Sequence, residues 1–278
     1  MENKKLKALV LVGGFGTRLR PFTLSKAKPL MEFANKAILS HQIEALIQVG
    51  VSEIILAINY QPSRMLTYIE EAEKLYNIKI HCSIEDTPLN TGNINFSLWI
   101  NIIAGPIGLA ASNGLLNDTE EIFVLNSDII CNYPFKSMLD FHRKHGKEGT
   151  ILVTPVEEPS RYGVILYDDN NKITNFIEKP QKYVGNRINA GIYIFNKKLL
   201  NRIKPIPQSL EREVFPEVAK DNELYKFDLS GFWMDIGQPK DFLTGTQLYL
   251  KHLEEHNKSR LLTGKNIIGN VFVVISIN

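Results

Sequence analysis

Residues 6–12, Leu-Lys-Ala-Leu-Val-Leu-Val, form an almost unbroken apolar run. A run this short, closed by glycines, reads as a strand buried on both faces. Leu39, Ile43, Leu46 and Ile47 then recur at helical spacing, which predicts a helix over residues 35–50 with Gly50 as its stop. Ile54 to Ile58 is a second apolar run and predicts a strand over residues 53–60. Met65, Ile69, Ala72 and Tyr76 line one side of a helix predicted over residues 62–76, where Pro62 suits the first turn. Ile78, Ile80, Cys82 and Ile84 alternate with polar residues, as in a strand with one drier face. Strand, helix, strand, helix, strand is the order of a parallel, doubly wound α/β sheet.

The second half of the pattern is different. A loop over residues 85–95 leads into a helix bearing Leu98, Trp99, Ile102 and Ile103. Ile122-Phe123-Val124-Leu125 reads as a buried strand that ends in Asn126-Ser127-Asp128. Residues 149–156 give another buried strand. Residues 164–167 and 173–177, joined by Asp168-Asp169-Asn170-Asn171, predict an antiparallel hairpin. A strand over residues 189–195 follows, and Pro239 opens an amphipathic helix to His256. No linker separates the halves, so the second is expected to extend the same domain.

Composition narrows this picture only slightly. Across 278 residues, 44% are hydrophobic and 22% charged, an ordinary globular balance. A net charge of +2 gives no reason to expect a nucleic acid or an anionic membrane as partner. Cys82 and Cys131 sit in apolar strand contexts without zinc spacing and are expected to be reduced core residues of a cytoplasmic protein. No apolar stretch approaches the roughly 18 residues that would span a bilayer. Met1 leads into a polar, lysine-bearing segment rather than a secretory signal. His252 and His256 lie four apart on the last helix but lack a partner acid, and read as a solvated helix end.

The candidate chemistry begins where the first strand stops, at Gly13-Gly14-Phe15-Gly16-Thr17-Arg18-Leu19, with Lys28-Pro29-Leu30 beyond. Glycines let backbone N–H groups approach a phosphate, and Arg and Lys add charge. The string is not a P-loop, which needs Gly, four residues, then Gly-Lys-Ser/Thr. It is not a dinucleotide fingerprint either, because Leu19 stands where that motif needs its third glycine. Asp128, arriving at a strand end facing this loop, is well placed for Mg²⁺; alone it is equally a turn or cap residue.

Taken together, these residues resemble the signature of the sugar-phosphate nucleotidyltransferases, and most closely their branch acting on GTP and mannose-1-phosphate. A second matching string is Phe232-Trp233-Met234-Asp235-Ile236-Gly237-Gln238-Pro239-Lys240-Asp241-Phe242. In the loop that helps enclose the base, Glu85, Pro88, Leu89 and Thr91 agree with the family, whereas Asn90, Gly92, Asn93 and Ile94 depart from it. Ala27 stands where the family usually has Pro. The resemblance implies a Rossmann-like mixed, mainly parallel sheet over residues 1–256. It further implies that residues 257–278 are a linker and the shortened first rung of a left-handed, hexapeptide-repeat β-helix, with Ile267 to Val273 as that rung.

The activity implied is transfer of GMP from GTP to mannose-1-phosphate, giving GDP-mannose and pyrophosphate with Mg²⁺ as cofactor. By resemblance, nucleotide is held by Leu11, Gly13, Gly14, Gly16, Thr17, Arg18, Lys28, Glu85 and Asn90. Gly163, Glu178 and Asn189 would meet sugar hydroxyls, Lys179 the sugar phosphate, and Asp128 and Asp235 the metal. Arg18, Lys28, Asp128 and Asp235 form the catalytic set. Two alternatives stay open: another nucleotide and sugar pair, such as UTP with glucose-1-phosphate, or a non-catalytic regulatory subunit that binds nucleotide sugar. The retained charged set favours an enzyme. A homo-oligomer, or assembly with a related regulatory subunit, is the expected state.

Overall fold

The structure is a computed structural model that describes residues 5–13, 16–58, 63–84, 104–204, 206, 208–262, 264, 267–269 and 271–272. The first apolar run forms strand β1 (Lys7–Val12), with Ala8, Leu9 and Val10 wholly buried. After it come a small hairpin, β2 (Glu32–Phe33) and β3 (Lys36–Ala37), then α1 (Ile38–Gln48) and β4 (Glu53–Ile58). Next are α2 (Ser63–Tyr76), β5 (Lys79–Ile84), α3 (Ala104–Ser112) and β6 (Glu121–Asn126). The rest runs β7 (Ile129–Cys131), α4 (Phe135–His145), β8 (Gly149–Pro155), β9 (Gly163–Tyr167), β10 (Ile173–Glu178) and β11 (Arg187–Asn196). It closes with α5 (Lys197–Arg202), α6 (Phe215–Lys220), β12 (Leu224–Asp228), β13 (Trp233–Asp235), α7 (Pro239–His256), β14 (Leu261–Leu262) and β15 (Val271–Phe272).

The main sheet has the order β10-β9-β11-β6-β1-β4-β5, and β8 pairs with β11 and carries β12 beyond it. Strand β1 lies parallel to β4 and β6 on its two sides, and β5 continues the parallel half. Beyond β6 the sheet turns antiparallel through β11, β8 and β9. The sheet is therefore mixed, as expected. Because β1 has parallel neighbours on both sides, a crevice opens at the carboxyl ends of β1 and β6, the usual ligand position in such sheets. Apolar side chains cover both faces of the sheet, and a third cluster under α7 joins Leu19, Phe33, Ile130, Phe232 and Tyr249.

Several boundaries differ from expectation, each for a local reason. The helix predicted over residues 35–50 starts at Ile38, because Ala34 and Asn35 take positive φ and close the β2–β3 hairpin. At its other end Gly50, φ 89°, stops the helix as expected. The strand predicted to residue 60 is seen to Ile58, and residues 59–60 lie outside the described set. The loop over 85–95 and the helix carrying Leu98, Trp99, Ile102 and Ile103 also lie outside it. Helix α7 has the expected bounds. Toward the C-terminus, Val271–Phe272 pairs antiparallel with Leu261–Leu262, and Asn35 Nδ2 donates to the Phe272 carbonyl at 2.8 Å. The described residues there show this ribbon and no β-helix coil.

Candidate active site

Strand β6 is apolar from Ile122 to Leu125, and after Asn126 the chain turns through Ser127 and Asp128 into β7. Strand β13 pairs antiparallel with β7 and sets Asp235 opposite Ile129. The Ile236 N–H donates to the Asp128 carbonyl at 3.0 Å, which ties the two acidic turns together. Two carboxylates 107 positions apart thus meet at one ribbon end. Burial, and next the negative charge of Asp128, push the Asp235 carboxyl up to about 7; Lys28 and Arg18 act against this. Asp235 Oδ1 is closed to solvent and has no hydrogen-bond partner.

Lys28 reaches the same point from the glycine-loop side. Its Nζ donates to Asp128 Oδ2 at 2.5 Å, and its side chain is only 10% exposed. Gly16 has φ 60°, and a Cβ there would come within 2.8 Å of Thr23. The Gly16 carbonyl accepts from Thr23 Oγ1 at 2.7 Å and from the Leu19 N–H at 2.9 Å. That places Thr17 and Arg18, both exposed, on a single 3₁₀ turn beside the crevice. Leu11 is on β1 next to Asn126, and its carbonyl accepts from the Ser127 N–H at 3.3 Å. Gly13 is exposed, with open space where a side chain would stand. Gly14, Glu85 and Asn90 lie outside the described residues.

A second group sits beyond β11. Gly163 pairs with Glu178 across the β9–β10 hairpin, and a Cβ at Gly163 would meet Phe176 at 2.5 Å and Glu178 Oε2 at 3.0 Å. Lys179, exposed and at φ 47°, pairs with Glu178 Oε1 at 3.2 Å. Asn189 spends its amide inside a bulge of β11: Nδ2 donates to the Tyr193 hydroxyl at 2.8 Å, and Oδ1 accepts the Gly191 N–H at 3.0 Å. The bulge needs glycine, because Gly191 has φ 75° and a Cβ would come within 2.7 Å of Asn126 Nδ2. Burial first, and then the charges of Glu211, Glu178 and Asp128, push the Tyr193 hydroxyl upward, so the two groups flank one fully buried side chain.

Two residues escaped the sequence reading. Glu211 lies in a π turn, Leu210–Val214, and accepts from Ser209 Oγ at 3.1 Å. Burial first, then the charge of Glu178, push its carboxyl up to about 7. Gln42 is a fully buried amide on α1. Ser209 ahead of a run holding Glu213 is a recognisable helix start, but neither residue carries a motif that points to a site.

Among the described residues no three His, Cys, Asp or Glu groups cluster for a metal. A pair of carboxylates is still the donor set of a hard cation that takes its other oxygens from phosphates and water. The partnerless Asp235 Oδ1 and its raised pKa fit a site for a divalent cation, which would satisfy the one and reverse the other.

Comparison with known proteins gives the family. The family model described as "Nucleotidyl transferase" matches residues 7–252. The mannose-1-phosphate guanylyltransferase catalytic subunit beta of Dictyostelium discoideum is 56% identical over 269 residues, covering 96% of this chain and 71% of that protein. The mannose-1-phosphate guanyltransferase of Schizosaccharomyces pombe is 52% identical over 271 residues, with the same coverages. Among solved structures, a putative glucose-1-phosphate thymidylyltransferase from Bacillus anthracis superposes with a TM-score of 0.73 at 21% identity, over 87% of this chain and 94% of that one. At that identity the likeness speaks for the fold alone. With the family model matched over residues 7–252 and relatives more than half identical over nearly the whole chain, this chain belongs to the nucleotidyl transferases.

Proposed function

We propose that this protein transfers GMP from GTP to mannose-1-phosphate, releasing pyrophosphate and forming GDP-mannose. The observation that carries the reading is the convergence of Lys28, Asp128 and Asp235 at the carboxyl ends of β1 and β6, in a chain whose relatives at 50–56% identity are named for that reaction. The sugar phosphate is already an anion at neutral pH, so attack on the α-phosphorus needs no general base, and catalysis reduces to alignment and charge neutralisation. The backbone of the glycine loop, with Leu11, Thr17 and Arg18, holds the triphosphate, and Lys28 neutralises charge at the reacting phosphates. Asp128 and Asp235 would hold Mg²⁺, which supplies charge neutralisation shared between nucleotide and sugar phosphate.

On the sugar side, Gly163, Glu178 and Asn189 meet hydroxyls, Asn189 through the one amide hydrogen that Tyr193 does not take. Lys179 provides the point charge for the sugar phosphate. Glu85 and Asn90 are assigned to the base. We further infer that residues 1–256 are the catalytic unit, that residues 257–278 begin a hexapeptide-repeat β-helix, and that the protein works in the cytoplasm as a homo-oligomer or with a related regulatory subunit. No helix among the described residues is long and apolar enough to cross a membrane.

The test is a pyrophosphate-release panel of GTP, ATP and UTP against mannose-1-phosphate and glucose-1-phosphate. The expected result is a kcat/KM for GTP with mannose-1-phosphate more than about tenfold, or roughly 1.4 kcal/mol, above every other pair. Preference for UTP with glucose-1-phosphate would reassign the substrates, and no turnover with any pair would favour a regulatory subunit.

A further inference from the structure

Helix α1 carries one amide in a row of apolar neighbours, Leu39, Ile43 and Leu46. Gln42 has no exposed surface. A buried amide is costly unless its polar atoms are paired, so its partners show what it is for. Its Nε2 donates to the carbonyl of Asn126 at 2.9 Å and to that of Ile129 at 3.2 Å. Asn126 is the last residue of β6 and Ile129 the first of β7. The two hydrogens of one nitrogen therefore clamp both ends of the turn whose tip is Asp128. The amide oxygen, by contrast, is buried without a partner. Leucine would fill this site without an orphaned oxygen, so packing alone does not account for glutamine. The two donated bonds do.

The rest of the Asp128 turn is held from other sides. The Ser127 N–H donates to Leu11 on β1, the Asp128 carbonyl accepts from Ile236 next to Asp235, and the Asp128 side chain meets Lys28. Gln42 supplies the only one of these restraints that comes from the helix layer among the described residues. From this we infer that Gln42 is a positioning residue, whose amide fixes the Asp128 turn and thereby the spacing of the Asp128 and Asp235 carboxylates toward a shared divalent cation. The inference rests on the two-carboxylate reading given above. Gln42 touches neither substrate nor metal; it acts through the backbone on either side of Asp128.

The experiment titrates Mn²⁺ into the protein by electron paramagnetic resonance, without nucleotide, in parallel with kcat and KM for GTP at saturating Mg²⁺. Gln42→Leu removes both donors at similar volume, and Gln42→Asn shortens the amide by one methylene as a milder second variant. Ile43→Ala on the same helix is the control for lost stability alone. Both Gln42 variants are expected to weaken Mn²⁺ binding at least fivefold and to lower kcat, with KM for GTP within twofold of the parent. Ile43→Ala is expected to lower Tm while leaving Mn²⁺ binding within twofold. Mn²⁺ binding within twofold of the parent in a folded Gln42 variant, or an equal loss in Ile43→Ala, overturns the positioning role. Asp235→Asn separates this from the parent reading: if Mn²⁺ binding in the unaltered protein does not depend on Asp235, the two-carboxylate site itself is wrong and the inference falls with it.

Discussion

At the scale of single residues, the site holds two carboxylates that repel each other, only one of which is paired with a lysine. Asp235 illustrates this best. Burial and the neighbouring Asp128 raise its folded pKa from 3.8 to about 7. The folded protein then keeps a proton that the unfolded chain releases, so this group's stabilising contribution is full below about pH 4 and is lost as pH rises toward 7. Asp235→Asn has no proton to lose. In metal-free buffer its Tm is expected to match or exceed that of the unaltered protein, with the gap widening from pH 5 to pH 8 to several degrees. The slope for one proton is at most about 1.4 kcal/mol per pH unit. Glu211 has the same sign, but it is present in both proteins and cancels in the difference. Adding Mg²⁺ should raise Tm in the unaltered protein only, and Asp235→Asn should lose at least about 100-fold in kcat, as removal of a principal electrostatic group does. Thermal melts across this pH range, with and without cation, check the first two outcomes, and steady-state pyrophosphate release checks the third; a variant that is less stable at pH 8 would contradict the repulsive pair.

Among the elements, the contact of α4 with β8 carries the opposite pH sign. His142 Nδ1 and His145 Nε2 both lie 2.8 Å from Thr150 Oγ1, and the Lys147 N–H donates to His145 Nδ1 at 2.9 Å. These bonds assign the proton of His145 to Nε2, which donates to Thr150, whose hydroxyl in turn donates to His142. Burial pushes His142 down to about 3 and His145 down to about 4. The unfolded chain therefore takes up protons first, and this stability is lost as pH falls from about 6.5 toward 4. Urea unfolding at several pH values should show an acid limb shallower by about one proton in His142→Gln than in the unaltered protein. An unchanged slope would mean that the helix docks without this relay. Elements of this kind were only partly legible. Strand β6 with Asp128 in the turn after it and helix α7 opening at Pro239 were readable, because hydrophobic period and punctuation are local. The β2–β3 hairpin that shortens α1 was not, since Lys36 and Ala37 look helical until Phe33 folds back on them. The bulge at Gly191 depends on Asn126, and the role of Gln42 on carbonyls 84 and 87 residues away. Such roles are set by tertiary contact, and no spacing in the chain announces them.

For the whole molecule, the third apolar cluster matters more than its size suggests. Asp128 is anchored in the main sheet, whereas Asp235 leads into α7 and the cluster of Phe33, Phe232, Ile236 and Tyr249. That cluster continues to the C-terminal ribbon, where the Phe272 ring lies 5.9 Å from Tyr249 and Arg260 sits over it at 5.1 Å. The covering is incomplete. Leu262 is 45% exposed and Ile268 95% exposed. Apolar groups left open beside an otherwise packed cluster favour association. The protein is expected to self-associate through the face that Leu262 and Ile268 leave open, with a weight-average mass that rises with concentration in light scattering. Replacing Leu262 and Ile268 together by Ser removes the open apolar surface while leaving Leu261, Phe272 and the residues of the active site in place. It should return the protein to a monomer with kcat/KM unchanged within about twofold, because neither side chain is placed among the groups that meet substrate. A monomer at every concentration before the substitution would show that the ribbon is sufficient cover for the cluster beneath it, and would move any contact between subunits to another face.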